Sequence, residues 1–229
     1  MKNYLVVGGN SGIGQALIAQ LLEQNHKVHA ATRSQTNLPP GLCSIQSFDA
    51  TIPSELQLPN SLDGLVYCPG TITLKPFHRL TREDFMHDLE INYLGAVHIL
   101  QAALPSLKKS PSPSVVLFSS VAARHGLPFH SSISAAKAAV EGLTLALAAE
   151  WAPSIRVNAI APSLTNTTLA SPLLNSEAKQ EAAAKRHPLH KVGNPEDLAA
   201  IASFLLSSQA QFITGQIITA DGGISSITK

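Results

Sequence analysis

The segment YLVVGGNSGIG, residues Tyr4–Gly14, decides the fold of this chain. Four residues suited to a strand that is buried on both faces run directly into a turn containing four glycines. An amphipathic pattern with helical spacing begins at Gly12 and continues to about Gln24. A strand, a glycine-rich turn and a helix in this order form the first unit of a parallel α/β sheet.

The same alternation of short apolar runs and longer helical patterns continues along the chain. The predicted strands are Tyr4–Val7, Lys27–Ala31, Cys43–Phe48, Gly64–Cys68, Ser114–Ser119, Ile155–Ala161 and Gln216–Thr219. The predicted helices are Gly12–Gln24, Thr81–Lys109, Ser132–Trp151 and Asn194–Ser207. Two prolines and little helical period between Phe48 and Gly64 predict an irregular crossover. We therefore predict one doubly wound, Rossmann-like α/β domain over residues 1–229, with helices on both faces of a parallel sheet.

The composition is that of a globular protein, with 45% hydrophobic residues, 14% charged residues and a formal net charge of +1. No basic run indicates a nucleic-acid or membrane-surface partner, and we find neither a signal peptide nor an apolar run of about 18 residues. Cys43 and Cys68 lie in apolar runs and are predicted to be buried free thiols, which favours a reducing, cytoplasmic compartment. His187 and His190 flank a proline without the spacing of metal ligands, so we expect no metal.

The glycine-rich turn is a candidate phosphate site. Backbone N–H groups at the start of a helix bind anions, and the helix dipole favours the same charge. The spacing of Gly8, Gly12 and Gly14 lets the backbone approach a pyrophosphate closely, although glycines alone could also mark an ordinary tight turn. The position between the first strand and the first helix favours dinucleotide binding. The residues expected to contact the dinucleotide here are Gly8, Asn10, Ser11, Gly12, Ile13 and Gly14.

The end of the second strand indicates which dinucleotide is bound. NAD sites usually place an acid there to hold the ribose 2′-hydroxyl. This chain has Thr32 followed by Arg33, and no acid. An arginine can pair with the 2′-phosphate of NADP, whereas the alternative is that Arg33 is a solvated loop residue. The sequence therefore predicts NADP in preference to NAD.

Further motifs identify the family that the chain resembles. The glycine pattern has three residues between Gly8 and Gly12, FDAT contains Asp49, and INYLGA contains Asn92. LFSSVAARHG, RVNAIAPSLTNT with Thr167, and the C-terminal segment from HPLHKVG to TADGG follow in order. Together they resemble the short-chain dehydrogenase/reductase family over essentially the whole chain.

Three positions depart from that family's pattern. Val7 stands at a family threonine, YCPG at residues 67–70 replaces NNAG, and Pro162-Ser163 replaces proline–glycine. The resemblance nevertheless implies a set of further cofactor contacts, and it places Asp49 at the adenine. These implied contacts are Asp49, Gly70, Lys137, Pro162 and Thr167.

The resemblance also implies an active site of four side chains: a tyrosine and a lysine four residues apart on one helix, a serine earlier in the chain, and an asparagine on the preceding helix. Residues at i and i+4 share a helix face, so the ammonium lowers the pKa of the phenol that donates the proton. In this chain Lys137, Ser120 and Asn92 occupy three of these positions. The tyrosine position is Ile133, which has no ionisable group.

Few other residues could act as the proton donor in place of the missing tyrosine. Tyr4, Tyr67 and Tyr93 are interpreted as structural, and His130, three residues before Ile133, is an alternative acid. The three remaining members also have simpler interpretations. Lys137 could serve cofactor binding alone, Ser120 could cap the next turn, and Asn92 could bond backbone within its helix.

Two functions remain open from the sequence. The first is an NADP-dependent oxidoreductase that transfers hydride to a small carbonyl or enone substrate with an atypical proton donor. The alternative is a catalytically impaired NADP-binding sensor or oligomeric partner, which Ile133 favours. A substrate lid is expected at about 164–192, and the resemblance implies a homo-oligomer, either a tetramer or a dimer.

Overall fold

The computed structural model describes residues 1–52 and 55–227. Seven strands form one sheet in the order β3-β2-β1-β4-β5-β6-β7, and every neighbouring pair is parallel. The strands are β1 (Asn3–Val7), β2 (Lys27–Thr32), β3 (Ser44–Ser47), β4 (Gly64–Tyr67), β5 (Ser114–Phe118), β6 (Arg156–Pro162) and β7 (Ile217–Ala220). The predicted parallel sheet is confirmed, with strand ends within one residue or two of those expected from the sequence.

Helices cover both faces of this sheet. They are α1 (Gly12–Glu23), α2 (Arg82–Leu89), α3 (Gly95–Leu107), α4 (Ser131–Trp151), α5 (Glu177–Lys185) and α6 (Pro195–Leu206). Helices α1 and α6 pack together over one apolar cluster, and α3 and α4 contribute to a second cluster. Successive residues of β1 are apolar because they point to opposite faces of the sheet and both faces are covered. Leu5 faces the second cluster and Val6 faces the first.

The strand order places the ends of β1 and β4 at the point where the winding reverses. Connections from β1 run outward to β2 and β3, and connections from β4 run the other way. In sheets of this kind the crevice at the carboxyl ends of the strands, at the reversal, is the usual ligand site. All strands are parallel, so every segment that directly follows a strand lies at this one edge.

The helix predicted over Thr81–Lys109 is interrupted. Thr81 begins it with the expected capping box, in which Asp84 is the reciprocal partner. A π-helical turn at Glu90–Leu94 then separates α2 from α3. Apolar periodicity predicted one continuous helix and missed the wider turn, because one additional residue in a turn changes the spacing only locally.

The connections on either side of β3 contain no helix among the described residues. Residues 33–43 and the described parts of 48–63 are turns and irregular backbone, as predicted for the second of them. Edge strand β3 is therefore thinly covered, and Cys43 beside it is exposed. The prediction that both cysteines are buried is wrong for Cys43; Cys68 is half-buried, and both are free thiols within the described residues.

The predicted lid, residues 164–192, has structure of its own. An isolated bridge between Thr165 and Gly193 joins its two ends. Ala170, Leu174 and Ala183 form a small apolar cluster inside it. Helix α5 was not predicted, because Ala183 is its one buried residue and the helix lacks an apolar stripe.

Helix α4 corrects one statement from the sequence. Its 21 residues are long and apolar enough to cross a membrane by length and composition alone. Nevertheless Val140 and Ala148 are buried in the domain core, and the helix packs against β5 and β6. This burial is typical of the central helix of a globular domain.

Candidate active site at the carboxyl ends of the strands

The glycine-rich turn forms a cradle of backbone between β1 and α1. Gly8 has a left-handed φ of 78° and Gly12 one of 52°, conformations that favour glycine. A Cβ at Gly14 would collide with the Gly8 carbonyl oxygen, and a Cβ at Gly12 would lie 3.1 Å from Thr167 Cγ2. Ser11 at the N-cap of α1 makes no side-chain capping hydrogen bond. The first N–H groups of α1 are thus available to an anion, as a pyrophosphate requires.

The next two strand ends carry the candidate adenosine contacts. Arg33 follows β2 and is exposed. Asp49 lies just after β3, and its Oδ1 accepts hydrogen bonds from the backbone N–H of Thr51 at 2.9 Å and from the Thr51 hydroxyl at 2.7 Å. These hydrogen bonds, together with the nearby positive charge of Arg33, hold the pKa of Asp49 below its usual value. Arg33 and Asp49 therefore lie close together beyond the cradle.

Lys137 lies on α4 with its ammonium group inside the protein. Only 8% of Lys137 is exposed, and its Nζ donates to the carbonyl oxygen of Phe118 at 2.8 Å. Burial lowers the pKa of Lys137 to about 8, an effect that Cys68 and Asp88 partly oppose. A lysine with this pKa changes charge near neutral pH, which an ordinary lysine does not.

Ile133 occupies the same buried face of α4, one turn before Lys137. It is 5% exposed, and it belongs to none of the three apolar clusters formed by the described residues. The helix spans both positions without interruption, so the i, i+4 relation predicted from the sequence holds. Ile133 and Lys137 are therefore both buried, one helical turn apart on α4, and the pocket position of Ile133 stays a prediction.

Ser120 follows β5 and begins the turn that leads toward α4. Its Oγ accepts from the backbone N–H of Ala122 at 3.2 Å, so the simpler capping role predicted for it is present. The Ser134 hydroxyl donates to the Ala122 carbonyl at 2.5 Å and ties the same turn to the start of α4. Ser120 is half-buried and also lines a cavity of about 200 Å³. The other lining residues are Val121, Arg124, His125, Ala161, Thr219 and Ser225.

Asn92 and Gly70 complete this part of the site. The π-helical turn carries Asn92, whose Nδ2 donates to the Asp88 carbonyl at 2.8 Å and to the Thr71 hydroxyl at 2.7 Å. Its Oδ1 is buried and has no hydrogen-bond partner among the described residues. A Cβ at Gly70 would lie 3.2 Å from this Oδ1 and 3.5 Å from Lys137 Nζ. Gly70 thus allows both side chains to approach one point at the end of β4.

The tyrosines are structural, as interpreted from the sequence. Tyr67 is buried and its hydroxyl donates to the Ile91 carbonyl at 2.6 Å, which fixes the π-helical turn. Tyr4 lies in the core under α1, and burial raises the pKa of its phenol to about 12. Tyr93 packs against the core beside α3. His130 is at the N-cap of α4, and its Nδ1 is 2.7 Å from the Pro128 carbonyl, which can only accept a hydrogen bond.

Sequence analysis missed a buried carboxylate next to Asn92. Asp88 is fully buried, and its Oδ1 accepts from the hydroxyls of Thr71 at 2.5 Å and Thr73 at 2.8 Å. Its Oδ2 is buried without a hydrogen-bond partner among the described residues. A signal existed, since Asp88 lies four residues before Asn92 and therefore on the same helix face.

The end of β6 is connected to the predicted lid by a second feature that was missed. Pro162 ends β6, and the Ser163 hydroxyl lies 2.9 Å from His187 Nε2. His187 is buried, and its Nδ1 is 2.8 Å from the Ala183 carbonyl, so Nδ1 carries the hydrogen and Nε2 accepts from Ser163. The described residues contain no group of three or more side chains suited to hold a metal ion.

Comparison with known proteins agrees with this geometry. Residues 44–225 match the family described as enoyl-(acyl carrier protein) reductase. A tropinone reductase homologue of Arabidopsis thaliana is 36% identical over 97% of this chain and 92% of its own length.

Among solved structures, the ligand-free aldohexose dehydrogenase of Thermoplasma acidophilum has a TM-score of 0.90 and 27% identity, and the match covers 100% of this chain and 96% of that one. ElxO with bound NADP has a TM-score of 0.87 and 26% identity, and the match covers 99% of this chain and 100% of that one. The glycine cradle, the parallel sheet and these matches lead to one conclusion: the chain belongs to the short-chain dehydrogenase/reductase family, whose members are oxidoreductases.

Proposed function

We propose that this protein is an NADP-dependent oxidoreductase that reduces a small carbonyl or enone substrate with an atypical proton donor. The observation that carries the proposal is the meeting of two sites at one edge of the sheet. The backbone cradle at Gly12 and Gly14 lies at the end of β1, and Asn92, Gly70 and Lys137 meet at the end of neighbouring β4. A buried polar site next to the cradle favours a protein that does chemistry over one that only binds the dinucleotide.

The residues of the cleft fit a dinucleotide. The close packing of the cradle requires glycine, because a Cβ at Gly14 would meet the Gly8 carbonyl oxygen and one at Gly12 would meet Thr167. The exposed Arg33 is suited to a 2′-phosphate. The NADP held by ElxO supports the same choice of cofactor here. Pro162, Thr167 and the Lys137 ammonium would border its other end. When bound, the nicotinamide supplies hydride to the substrate carbon.

The side chains of this chain would position the substrate and stabilise charge on its oxygen. The Ser120 hydroxyl can donate to that oxygen, and the Lys137 ammonium contributes a positive charge in a buried setting, where charge acts strongly. Ile133 is buried one turn before Lys137, and its side chain provides no proton. We therefore assign the proton to a water molecule held by Ser120 and Lys137, or to a group on the substrate.

A second function is favoured by one observation, the buried isoleucine at the position where the family has its proton donor. In that case the protein would bind NADP as a sensor or as the partner of an oligomer. Assembly as a dimer or tetramer, and a cytoplasmic location, belong to both versions of the proposal.

The deciding experiment measures NADPH oxidation by the wild type with a panel of aldehydes, ketones and enones. We expect slow turnover of at least one substrate. Turnover should decline as Lys137 loses its proton above about pH 8, without the further change near pH 10 that a titrating phenol would cause. Ile133→Tyr should raise the rate of carbonyl reduction by about 10²–10⁴, the usual contribution of a general acid. Ile133→Phe is the matched control, because it fills a similar volume without a hydroxyl group.

Three outcomes would count against parts of this proposal. NADPH binding without turnover of any substrate, in the wild type and in Ile133→Tyr alike, favours the sensor. A wild-type rate that Ile133→Tyr does not increase contradicts the claim that the missing phenol limits the chemistry. Equal gains from tyrosine and phenylalanine would assign the effect to packing.

A further inference from the structure

The carboxyl group of Asp88 is one of the most completely buried polar groups in the protein. Asp88 is the one buried residue of α2, and none of its surface is exposed. A carboxylate in such a place is costly unless hydrogen bonds and an opposite charge compensate it. The hydroxyls of Thr71 and Thr73 both donate to Oδ1, whereas Oδ2 has no hydrogen-bond partner among the described residues. These two hydrogen bonds therefore compensate the burial of Oδ1 but not that of Oδ2.

The threonine side chains connect Asp88 to the candidate active site. The Thr71 hydroxyl donates to Asp88 Oδ1 and accepts from Asn92 Nδ2, so it links the two side chains directly. Thr71 follows Gly70, the point that both Asn92 Oδ1 and Lys137 Nζ approach. The chain from Asp88 through Thr71 and Asn92 thus ends beside the ammonium group.

Lys137 is a buried cation that needs an anionic partner. Its ammonium group donates a hydrogen bond to a neutral group, the carbonyl oxygen of Phe118. On its own helix Glu141 is buried one turn further along, but Ser119 and Arg124 engage both of its oxygens. Of these two described acids, Asp88 on α2 is therefore the one whose negative charge is available to balance the positive charge of Lys137.

One other titratable group faces Lys137. It is the half-buried thiol of Cys68 at the end of β4. Burial raises the pKa of Cys68 to about 12, so this thiol stays protonated and neutral at ordinary pH. A neutral thiol cannot replace the negative charge that Asp88 supplies.

We propose that Asp88 is a positioning residue whose carboxylate is the internal counter-ion of Lys137, keeping the ammonium charged and directed into the cleft. The charge pair is a property of the protein without ligand. The effect of this charge pair on cofactor and substrate binding rests on the proposed function. In a site without a phenol this pair governs how much positive charge the cleft presents.

The first test follows the titration of Lys137 directly. NMR of lysine ¹³Cε in the ligand-free protein gives one titration curve per lysine, and the curve of Lys137 is the one lost in Lys137→Arg. In Asp88→Asn, which keeps the shape and one oxygen acceptor, the midpoint of Lys137 should fall by about one pH unit or more. Thr73→Val, which removes one hydroxyl donor and keeps the carboxylate, should leave the midpoint within roughly 0.3 unit.

A second measurement covers the case in which Asp88→Asn does not fold. In that case Asp88→Ser, a smaller neutral replacement that the two threonine hydroxyls can still bond, should lower the midpoint of Lys137 by about one unit or more relative to the wild type. A purely structural Asp88 would change unfolding temperature without moving the titration of Lys137 in either variant. Unmoved midpoints in both measurements overturn the proposal.

A third readout connects the charge pair to ligand binding. NADPH affinity should decline with rising pH as Lys137 loses its proton, and in Asp88→Asn this decline should begin at lower pH. Shifted titrations together with no turnover of any substrate would retain the charge pair and reject the oxidoreductase. Turnover with unmoved titrations would do the reverse, so the two failures are distinguishable.

Discussion

The two ends of the candidate cofactor cleft differ in what forms them. At the end proposed for the pyrophosphate the site is formed by backbone, with glycines at positions 8, 12 and 14 and accessible N–H groups at the start of α1. At the other end it is formed by the buried side chains of Lys137 and Asn92, which hydrogen bonds to neighbouring residues hold in place. A backbone site tolerates no added atoms, whereas a buried side chain can be exchanged while its helix remains intact.

The most damaging change should therefore be at the backbone end. In Gly12→Val the left-handed φ of 52° becomes strained and the new side chain meets Thr167. We expect NADPH affinity to fall on the order of 100-fold or more, because the N–H groups can no longer approach the phosphates. Isothermal titration calorimetry measures the loss.

The control for that variant is Gly142→Ala. Gly142 is exposed on α4, and nothing lies within 4 Å of an added Cβ, so this variant should bind NADPH normally. It should also be stabilised by about 0.5–1 kcal/mol, the usual gain from alanine within a helix. Normal NADPH binding by Gly12→Val would show that the cradle is not the cofactor site.

At the end formed by side chains, the expected effect is a change of protein stability with pH. Burial lowers the pKa of Lys137 from 10.5 to about 8. Between these two values the unfolded chain holds a proton that the folded chain has lost, so this group's contribution to stability rises with pH across the window. At neutral pH its burial costs up to about 3 kcal/mol, which is recovered by about pH 10.5.

The contribution of Lys137 to stability has to be measured as a difference between two proteins, because Cys68 also titrates in this pH range. The Cys68 pKa, raised from 9.0 to about 12, acts in the opposite sense above pH 9, because the unfolded thiol ionises first. Lys137→Met keeps Cys68 and removes the ammonium. The free energy of unfolding of the wild type, minus that of Lys137→Met, should increase from pH 8 to pH 10.5 in urea titrations. A flat difference would show that burial does not lower the pKa of Lys137, because the folded and unfolded chains would then hold the same protons across this range.

The exposed Arg33 should affect the binding of NADPH but not the binding of NADH. Arg33→Ala should weaken NADPH binding by about 1.5–3 kcal/mol, the range for charge-assisted hydrogen bonds. NADH lacks the 2′-phosphate and is the internal control, so its affinity should not change. Equal affinity of the wild type for the two cofactors, measured by calorimetry, would remove the basis for preferring NADP.

The smallest effect is expected where the predicted lid meets β6. Ser163→Ala removes the hydroxyl that His187 Nε2 accepts from, and it should destabilise the protein by about 1 kcal/mol. Protease cleavage within residues 164–192 should become faster. Thr168→Ala is the matched control, because Thr168 is exposed on the same segment. Identical cleavage of both variants would show that this hydrogen bond does not hold the lid.

The same contrast explains what the sequence could predict. Glycine spacing after a strand is a local pattern, so Gly8, Gly12 and Gly14 were located without knowledge of tertiary contacts. The parallel sheet followed from runs such as Leu5–Val7, which are apolar in succession because both faces are covered. Lys137 and Ile133 could be placed on one face because helix geometry fixes their relation.

What escaped prediction depends on contacts distant in the chain. Asp88 is compensated by threonines 15 and 17 residues away, and its burial cannot be inferred from α2 alone. His187 is paired with Ser163 across 24 residues. The exposure of Cys43 depends on the connections beside edge strand β3, which contain no helix in the residues that the structure describes, and not on the strand itself.

The π-helical turn at Glu90–Leu94 has a consequence for chain length. It accommodates one residue more than an α-helix would, and each residue advances a helix by about 100°. Deleting a single residue from this turn would let α2 and α3 join as one regular rod. The two halves could then no longer both keep their present helical phase, and either Asp88 or the core face of α3 would rotate out of place. The spacing between Asp88 and Gly95 is therefore as constrained as the identity of Asn92, and insertions or deletions should be tolerated far better in the irregular connection before β4.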